Sequence, residues 1–484
     1  VVDIARQPNE WFCFSAIGSP GATVEVKLAG QTVPLLPRSE NVALPPNLAV
    51  LTQQNQPMSG SAIGHYQGCT RTVLLGNLGK PEFQLTRNGQ TVSQIGAGNV
   101  RILAPGQFEV AEVTAENGAA RTGPSTDYSR LTPLPKGTRA AVTGYEGDWV
   151  RLDYGAWIRR SEVQIQKGTP PISIIRSIKA RQVDGWTEVV FPLQVPVPVS
   201  VQQGDRSFTL TLYNTTAQTD IIKLSDDPVI DRLDWQQVMP GQVQYTFNLK
   251  SNQQWGYKLR YEGTSLVLSL KHPPQLVKTR LGKTSGSRPV ILPLSSPSSL
   301  SGITILLDPG HGGPEDLGAR GPTGVPEKAF ALKTSQLLRD ELKRRGARVV
   351  MTREKDVDVS LQDRVKTINQ VQPTIALSLH YNALPDDGDA IQTQGLAAFW
   401  YNTQAHSLAM FLHNYLTRTL KRPSYGVFWN NLALTRPSVT PAVMLELGFM
   451  INPIEYEWIA STKEQKKLAG AIADGIAAWF RTRE

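Results

Sequence analysis

Two histidines and one glutamate occupy positions from which a chain could assemble a metal site. His311 follows the apolar run at residues 303–307, and His380 ends a second apolar run, TIALSLH. Glu327 opens a helical pattern after the Gly/Pro-rich loop that contains His311. Two imidazoles and one carboxylate leave a fourth position open, and in catalytic zinc sites this position carries the water to be activated. The residues alone are equally compatible with ordinary hydrogen-bonded side chains.

A further carboxylate lies inside an apolar segment. Glu446 is the single charged residue of PAVMLELGF, residues 441–449. Burying an unpaired carboxylate costs free energy. Glu446 should therefore be paired, adjacent to a metal or catalytic.

Four short motifs follow one another in the last third of the chain: DPGHGG, GPTGVPEK, SLHYNA and MLELGF. With them, residues 302–480 resemble the zinc-dependent N-acetylmuramoyl-L-alanine amidases of the cell-separation type, which cut peptidoglycan. The resemblance implies that His311, Glu327 and His380 bind one Zn²⁺. It also implies that Glu446 is the catalytic acid and base, and that a zinc-activated water cleaves the amide bond between N-acetylmuramic acid and L-alanine of the stem peptide.

Three residues near these motifs are candidates for supporting roles. Asn382, two residues beyond His380, could donate a hydrogen bond to the substrate or to the oxyanion. Arg353 could hold an acidic group of the stem peptide. Asp308 either orients His311 as a hydrogen-bond partner or caps the turn that follows it.

Two other classes of function remain open. The chain could be a zinc peptidase that cuts within the stem peptide, since such enzymes share the ligand types. It could also be a non-catalytic scaffold that binds the cell wall. The complete set of three ligands plus Glu446 argues against the scaffold.

Length and composition predict a multidomain protein without a membrane span. The chain has 484 residues, of which 40% are hydrophobic, and a formal net charge of +9. Residues 301–484 carry 21 Lys/Arg and 19 Asp/Glu, so most of the positive charge lies upstream. A basic balance also fits nucleic acid, but no recognised nucleic-acid motif accompanies it, and the expected partner is peptidoglycan.

The location follows from the same resemblance. The first residue is Val rather than Met, which favours a secreted chain whose signal peptide has been removed, and the periplasm or cell envelope is expected. Cys13 and Cys69 are the two cysteines of the chain. They are either a disulfide of an oxidising compartment or two free buried thiols.

Three all-β modules are predicted before the catalytic domain. Alternating apolar residues and turn signals indicate an immunoglobulin-like domain at 1–98. Residues 99–168 resemble a bacterial SH3 domain, in which Trp149 and Trp157 belong to the core or to a binding face. Residues 169–271 resemble an AMIN-type β-sandwich, and modules of these kinds bind the wall or division proteins.

The remaining chain is predicted to be a linker and an α/β domain. Residues 272–300 are rich in Pro and Ser, so a flexible tether is expected, and with it an independently folding catalytic domain. From 301 to 484, strands alternate with helices, which predicts a mainly parallel sheet with the functional residues at the carboxyl ends of its strands. Arg364 is expected on the exposed side of its helix. The stretch between Ala383 and Gly395 is too polar to form a helical lid, so a surface loop and an open cleft are expected.

Overall fold

The structure is a computed structural model, and it describes residues 3–37, 64–275, 300–384 and 388–483. Most of the predicted linker, residues 276–299, lies outside the described residues, as do residues 385–387 of the predicted surface loop. No helix among the described residues is long and apolar enough to cross a membrane.

The first β region contains a six-stranded antiparallel sheet of order β2-β5-β4-β3-β7-β8 and a three-stranded sheet of order β1-β9-β6. Cys13 and Cys69 face each other in the register of β2 and β5 and form a disulfide, so the bridged alternative is confirmed. The strands are β1 Ile4–Arg6, β2 Phe12–Gly18, β3 Thr23–Leu28, β4 Gln31–Pro37, β5 Gly64–Thr70, β6 Gly76–Gly79, β7 Glu82–Arg87, β8 Gln90–Ile95 and β9 Val100–Ile102.

The second β region is a small five-stranded sheet of order β15-β14-β13-β10-β16 with a two-stranded ladder, β11-β12. Trp149 and Trp157 are both buried in it. The strands are β10 Phe108–Val113, β11 Asn117–Gly118, β12 Leu134–Pro135, β13 Arg139–Glu146, β14 Trp149–Leu152, β15 Trp157–Arg159 and β16 Val163–Gly168. Short 3₁₀ helices occupy Pro105–Gln107 and Arg160–Glu162. We call this region the small β domain.

The third β region consists of two sheets of order β21-β17-β18-β25-β24 and β19-β20-β23-β22. Apolar side chains from both sheets form one core, which includes Phe191, Phe208 and Phe247, so we call this region the sandwich. The strands are β17 Ser173–Val183, β18 Trp186–Phe191, β19 Val199–Gln203, β20 Ser207–Tyr213, β21 Thr215–Lys223, β22 Ile230–Met239, β23 Gln242–Leu249, β24 Tyr257–Glu262 and β25 Ser265–Lys271. The strand count agrees with a large all-β region, while the finer module names and boundaries stay predictions.

The C-terminal domain is a six-stranded sheet of order β27-β26-β28-β31-β29-β30 covered by helices. Four of its strands run parallel, but β29 is antiparallel to β31, so the predicted mainly parallel sheet is in fact mixed. The strands are β26 Thr304–Pro309, β27 Arg348–Met351, β28 Ile375–Asn382, β29 Leu396–Trp400, β30 Ser424–Trp429 and β31 Ala442–Phe449. The helices are α1 Glu327–Arg344, α2 Leu361–Val371, α3 Thr403–Leu420, α4 Pro453–Ala460 and α5 Thr462–Arg481.

The sandwich packs against the end of this sheet at which β28 and β31 begin. Trp255 of the sandwich is only 5% exposed and belongs to the same apolar cluster as the core of the C-terminal domain. Its ring lies 5.6 Å from that of Trp479 and is stacked at 6.0 Å on Phe480. Lys271 donates hydrogen bonds to the carbonyl oxygens of Gln372 and Pro373, just before β28. The two domains therefore share a buried contact in addition to the chain between them.

Candidate metal centre

The carboxyl ends of β26 and β28 place two histidines beside each other. These strands are parallel neighbours, so the residues that follow them emerge at the same edge of the sheet. His311 lies in the loop after β26 with a positive φ of 56°, and His380 lies near the end of β28. Their ring centroids are 4.9 Å apart.

Glu327 lies between the two rings. Its Oε2 is 3.1 Å from Nε2 of His311, and its Oε1 is 3.0 Å from Nδ1 of His380. One ligand atom from each of the three residues lies within 4.8 Å of the others. The structure therefore brings together all three predicted ligands.

Glu327 is held as an anion. It is only 3% exposed, and the backbone amides of Ala319 and Tyr381 donate to its two oxygens at 3.0 Å. Burial opposes ionisation of the carboxyl group, but the hydrogen bonds to His311 and His380 outweigh it and lower the pKa of Glu327 well below its ordinary value. The group is thus negative at neutral pH, as a metal ligand must be.

Two glycines allow these side chains to approach the backbone closely. A Cβ atom at Gly310 would lie 2.4 Å from the ring of His380. A Cβ atom at Gly318 would lie 2.5 Å from Oε2 of Glu327, and its φ of +66° also favours glycine. The glycines of the loop therefore leave the space that the ligand side chains occupy.

The hydrogen-bond partner of His311 is Asp316, which the sequence reasoning missed. Nδ1 of His311 lies 2.5 Å from Oδ1 of Asp316, and this leaves Nε2 facing Glu327. A carboxylate that binds the second nitrogen of an imidazole fixes both the ring orientation and the tautomer of a metal ligand. The available signal was an acidic residue five positions away in the same loop.

The expected role of Asp308 beside His311 is wrong. Both of its oxygens are engaged elsewhere: Arg364 and Thr352 donate to Oδ1 at 2.8 and 2.5 Å, and Ser378 donates to Oδ2 at 2.6 Å. Asp308 therefore anchors the end of β26 to its neighbours. It acts on His311 only through the backbone.

Two buried arginines hold the loop that carries His311. Arg364, expected on a helix surface, is buried and donates to the carbonyl oxygens of Pro309 and His311, both at 2.6 Å. Arg353 is 3% exposed and makes four hydrogen bonds to backbone carbonyls, which include those of Pro309 and Gly310. The hypothesis that Arg353 holds a substrate group is corrected accordingly, because its guanidinium is committed to the loop.

Glu446 is not among the three residues whose ligand atoms converge, but it lies on the neighbouring strand. It lies on β31 in register with His380 of the parallel neighbour, β28. Its Oε2 is buried and has no hydrogen-bond partner among the described residues. Burial, together with the negative charge of Glu327, raises the pKa of Glu446 well above its ordinary value.

Besides Oε2 of Glu446, a second buried polar atom without a partner in the described structure is Nδ2 of Asn382, near the end of β28. Its Oδ1 accepts a hydrogen bond from the amide of Ala383 at 2.9 Å, while its Nδ2 is buried without a partner in the described structure. Buried polar groups are normally satisfied, so a free donor and a free carboxylate oxygen at one sheet edge are typical of a reactive site.

The described part of the loop after β28 contains no helix. Asp389 accepts hydrogen bonds from the amides of Ile391 and Gln392, and Asn452 donates to the carbonyl oxygens of Ile391 and Thr393. These contacts hold residues 388–394 in turns at the surface.

Comparison with known proteins identifies the domain that carries this geometry. A model of the family described as N-acetylmuramoyl-L-alanine amidase matches residues 305–478. The germination-specific N-acetylmuramoyl-L-alanine amidase of Bacillus subtilis is 32% identical over 227 residues, which span 42% of this chain and 89% of that protein. The chain belongs to the N-acetylmuramoyl-L-alanine amidase family.

Other relatives match the same part of the chain. The "Probable cell wall amidase LytH" of Staphylococcus epidermidis is 34% identical over 187 residues, or 38% of this chain, and the match spans 61% of that relative's length. Among solved structures, the N-acetylmuramoyl-L-alanine amidase AmiC2 of Nostoc punctiforme is 30% identical and is covered to 99%, against 37% of this chain, with a TM-score of 0.35.

His311, Glu327 and His380 fit a metal ion. The facing nitrogen and oxygen atoms of His311, Glu327 and His380 converge from separate elements, and their chemistry, two imidazoles and one carboxylate, suits Zn²⁺. The hydrogen bond that Oδ1 of Asp316 accepts from Nδ1 of His311 is the support that such a ligand needs.

Proposed function

We propose that this chain is a peptidoglycan hydrolase that cleaves the amide bond between N-acetylmuramic acid and the L-alanine of the stem peptide. The observation that supports it best is the convergence of His311, Glu327 and His380 beside the unpaired carboxylate of Glu446, in a domain of the amidase family.

The proposed cofactor is one Zn²⁺ held by His311, Glu327 and His380. When bound there, zinc supplies Lewis-acid chemistry: it polarises carbonyl oxygens and lowers the pKa of water. Glu327 contributes the negative charge, while Asp316 keeps Nε2 of His311 directed toward the site.

Glu446 is the proposed general acid and base. Its Oε2 has no partner in the described structure, so it is free to take a proton from the attacking water and to return it to the leaving amine. A raised pKa suits this work, because it makes the ionised carboxylate a stronger base toward water. Nδ2 of Asn382 is the proposed donor to the substrate or to the developing oxyanion.

The upstream β region is proposed to engage the wall outside the cytoplasm. The Cys13–Cys69 disulfide supports an oxidising compartment such as the periplasm or cell envelope. The sandwich and the small β domain, which resemble AMIN-type and SH3-type modules, would bind peptidoglycan or wall-associated proteins. Their described contacts with the C-terminal domain lie at the end of its sheet remote from Glu446.

Digestion of purified peptidoglycan followed by mass analysis tests the activity. We expect fragments whose muramic lactyl groups are free and whose stem peptides begin with an intact L-alanine, and we expect their release to stop with a chelator. Cuts inside the stem peptide would instead assign a zinc peptidase, and unchanged glycan-peptide material would assign a wall-binding scaffold.

A further inference from the structure

Four arginines gather at the junction of the small β domain and the C-terminal domain. Arg121 and Arg130 face each other across an isolated antiparallel bridge. The guanidinium carbons of Arg121 and Arg159 lie 6.0 and 5.4 Å from the centroid of the Trp149 ring. With Arg436 of the C-terminal domain, these residues form what we call the arginine cluster.

Arg436 joins the cluster through the residues that follow β29. The hydroxyl of Tyr401 donates to the carbonyl oxygen of Arg130 at 3.4 Å, and Nδ2 of Asn402 donates to that of Arg436 at 2.8 Å. The ring of Tyr401 is stacked at 5.3 Å on that of Trp429, whose side chain is 48% exposed. Two domains therefore present guanidinium groups and aromatic faces at one location.

None of the four arginines forms a salt bridge among the described residues. Arg121 is 7% exposed and donates to the carbonyl oxygens of Thr126 and Tyr128, both at 2.7 Å, so it contributes positive charge but no free donor. The other three are at least partly exposed, and Arg436 donates to the carbonyl oxygen of Asn431 at 3.2 Å.

Two nearby carboxylates, those of Asp127 and Glu162, partly offset the charge of Arg121, but in the described structure neither forms an ion pair with an arginine of the cluster. Asp127 accepts from the hydroxyl of Ser125, and Glu162 accepts from the amide of Ala119. Burial and then the charges of Arg130 and Arg121 lower the pKa of Arg436 to about 10. Like charges held this close repel each other, and a bound anion would relieve the repulsion.

The cluster lies away from the metal centre. Ala397 of β29 is in register with Glu446, and because β29 runs antiparallel to β31, the chain then moves away from the ligands toward Tyr401. Four residues of strand span roughly 13 Å. An anion bound at the cluster is thus outside the catalytic cleft.

We propose that the arginine cluster binds carboxylate groups of peptidoglycan stem peptides at a distance from the bond being cut. The inference rests on the proposed function, since the substrate would carry carboxylates along its length. Guanidinium groups match carboxylates in charge and in geometry, and the exposed face of Trp429 beside them offers a surface for sugar rings. A second contact with the same polymer raises the effective concentration of the substrate at the metal centre.

Binding to intact sacculi freed of phosphodiester polymers tests the proposal. The measurement uses the full chain with Glu446→Gln, so that the wall is not consumed, and the double variant Arg130→Gln/Arg436→Gln is compared with Arg87→Gln/Arg481→Gln. Arg87 and Arg481 are exposed, and replacing them removes the same amount of charge from elsewhere in the chain. We expect the cluster variant to bind about tenfold more weakly, in line with losing charged hydrogen bonds, and the matched control to bind as before.

Two further probes decide what the cluster recognises. With sacculi whose carboxylates have been amidated, the cluster variant and its control should bind equally. The proposal is overturned if the two variants bind unmodified sacculi equally, or if polyphosphate binding depends on the cluster while sacculus binding does not. Equal melting temperatures of the two variants exclude misfolding as the cause, and Arg130→Lys/Arg436→Lys provides a second variant if they differ.

The failure of this proposal is distinguishable from that of the proposed function. Hydrolysis of soluble muropeptides is measured in chains that retain Glu446. If the unaltered chain frees lactyl groups while the cluster variant binds sacculi normally, only the cluster proposal fails. If the unaltered chain frees no lactyl groups, the amidase assignment fails, whatever the result of the sacculus-binding measurement.

Discussion

The two ends of the C-terminal sheet are built from opposite kinds of side chain. At the carboxyl ends of β26 and β28, charged groups are buried and held by hydrogen bonds, as the pair of Arg364 with Asp308 shows. At the other end, the ring of Trp255 enters the core beside Trp479 and Phe480. Burying the charged groups at one end costs folding free energy, while burying the aromatic rings at the other end stabilises the fold.

The difference shows how an upstream region can be attached without covering the site. The sandwich contacts the segments that precede β28 and β31, through Lys271 and through a bond from the amide of Tyr257 to the carbonyl oxygen of Ser438. His380 and Glu446 lie toward the other end of the same two strands. Docking of the sandwich over the cleft would require breaking this contact first.

The first prediction concerns the polar end, where the largest effect is expected. Glu446→Gln should retain the metal yet lose roughly 10²–10⁴-fold in turnover, because it removes only the group that moves the proton. His380→Ala should lose the metal itself, because it removes one of three ligands. Elemental analysis and muropeptide hydrolysis of both variants measure this. Metal loss from Glu446→Gln would make that residue a ligand, and stoichiometric metal in His380→Ala would refute the ligand set.

The second prediction tests whether the buried charges support the same end. Arg364→Met leaves the carboxylate of Asp308 without its cation and frees the carbonyl of His311, so we expect about 3–5 kcal/mol less stability. We also expect a 10–100-fold loss of metal affinity, as for other groups that orient ligands. Denaturant unfolding and metal titration provide the measurements. Lys366→Met, an exposed change on the same helix, is the control, and equal behaviour of the two variants would contradict the prediction.

The sequence was sufficient to locate the three residues that converge at the polar end. His311 and His380 could be found because they follow apolar runs, and strand ends of a parallel pair must meet. Glu327 could be found because it opens a helical pattern after the loop that contains His311. The buried role of Arg364 could not be found, because helical periodicity describes only which face is apolar. It does not show that a guanidinium will turn inward to backbone carbonyls.

The reversal of β29 and the docked sandwich were also beyond the sequence patterns. A buried strand has the same apolar composition in either direction, so LAAFW could not reveal that it runs antiparallel to β31. Composition also cannot show that Trp255 of the sandwich packs into the core of the C-terminal domain. Independent folding of residues 301–484 stays a prediction, and that fragment would expose the surface that Trp255 covers.

The third prediction tests the apolar end. Trp255→Ala removes a nearly buried ring from the junction and should reduce the free energy of unfolding by roughly 3 kcal/mol. Turnover on soluble muropeptides at a temperature where the variant is folded should stay within about twofold, because the ring lies at the end opposite the ligands. Trp235→Ala, on an exposed face of the sandwich, is the matched control. A large loss of turnover without unfolding would show that the two ends are coupled.

The last prediction concerns a buried carboxylate that belongs to neither end. Asp153 of the small β domain accepts from the amide of Ala141 at 3.0 Å and from Nδ2 of Asn214 in the sandwich at 2.9 Å, while its Oδ1 is buried without a partner in the described structure. Burial raises its pKa to about 6, against the opposing effect of these two bonds; nearby Glu10 raises it further and Arg6 lowers it.

Because the folded pKa of Asp153 lies above that of the unfolded chain, the folded state binds the proton more tightly. The associated stability is complete below the unfolded pKa, near 4, and is lost as the pH rises through about 6. Asp153→Asn cannot ionise, so the stability of the unaltered chain relative to this variant should fall by roughly 2–3 kcal/mol between pH 4 and pH 8. Thermal unfolding across this range measures the difference. A difference that does not change with pH would mean that Asp153 is ionised in the fold, and that the contact between the small β domain and the sandwich accommodates a charge as the metal centre does.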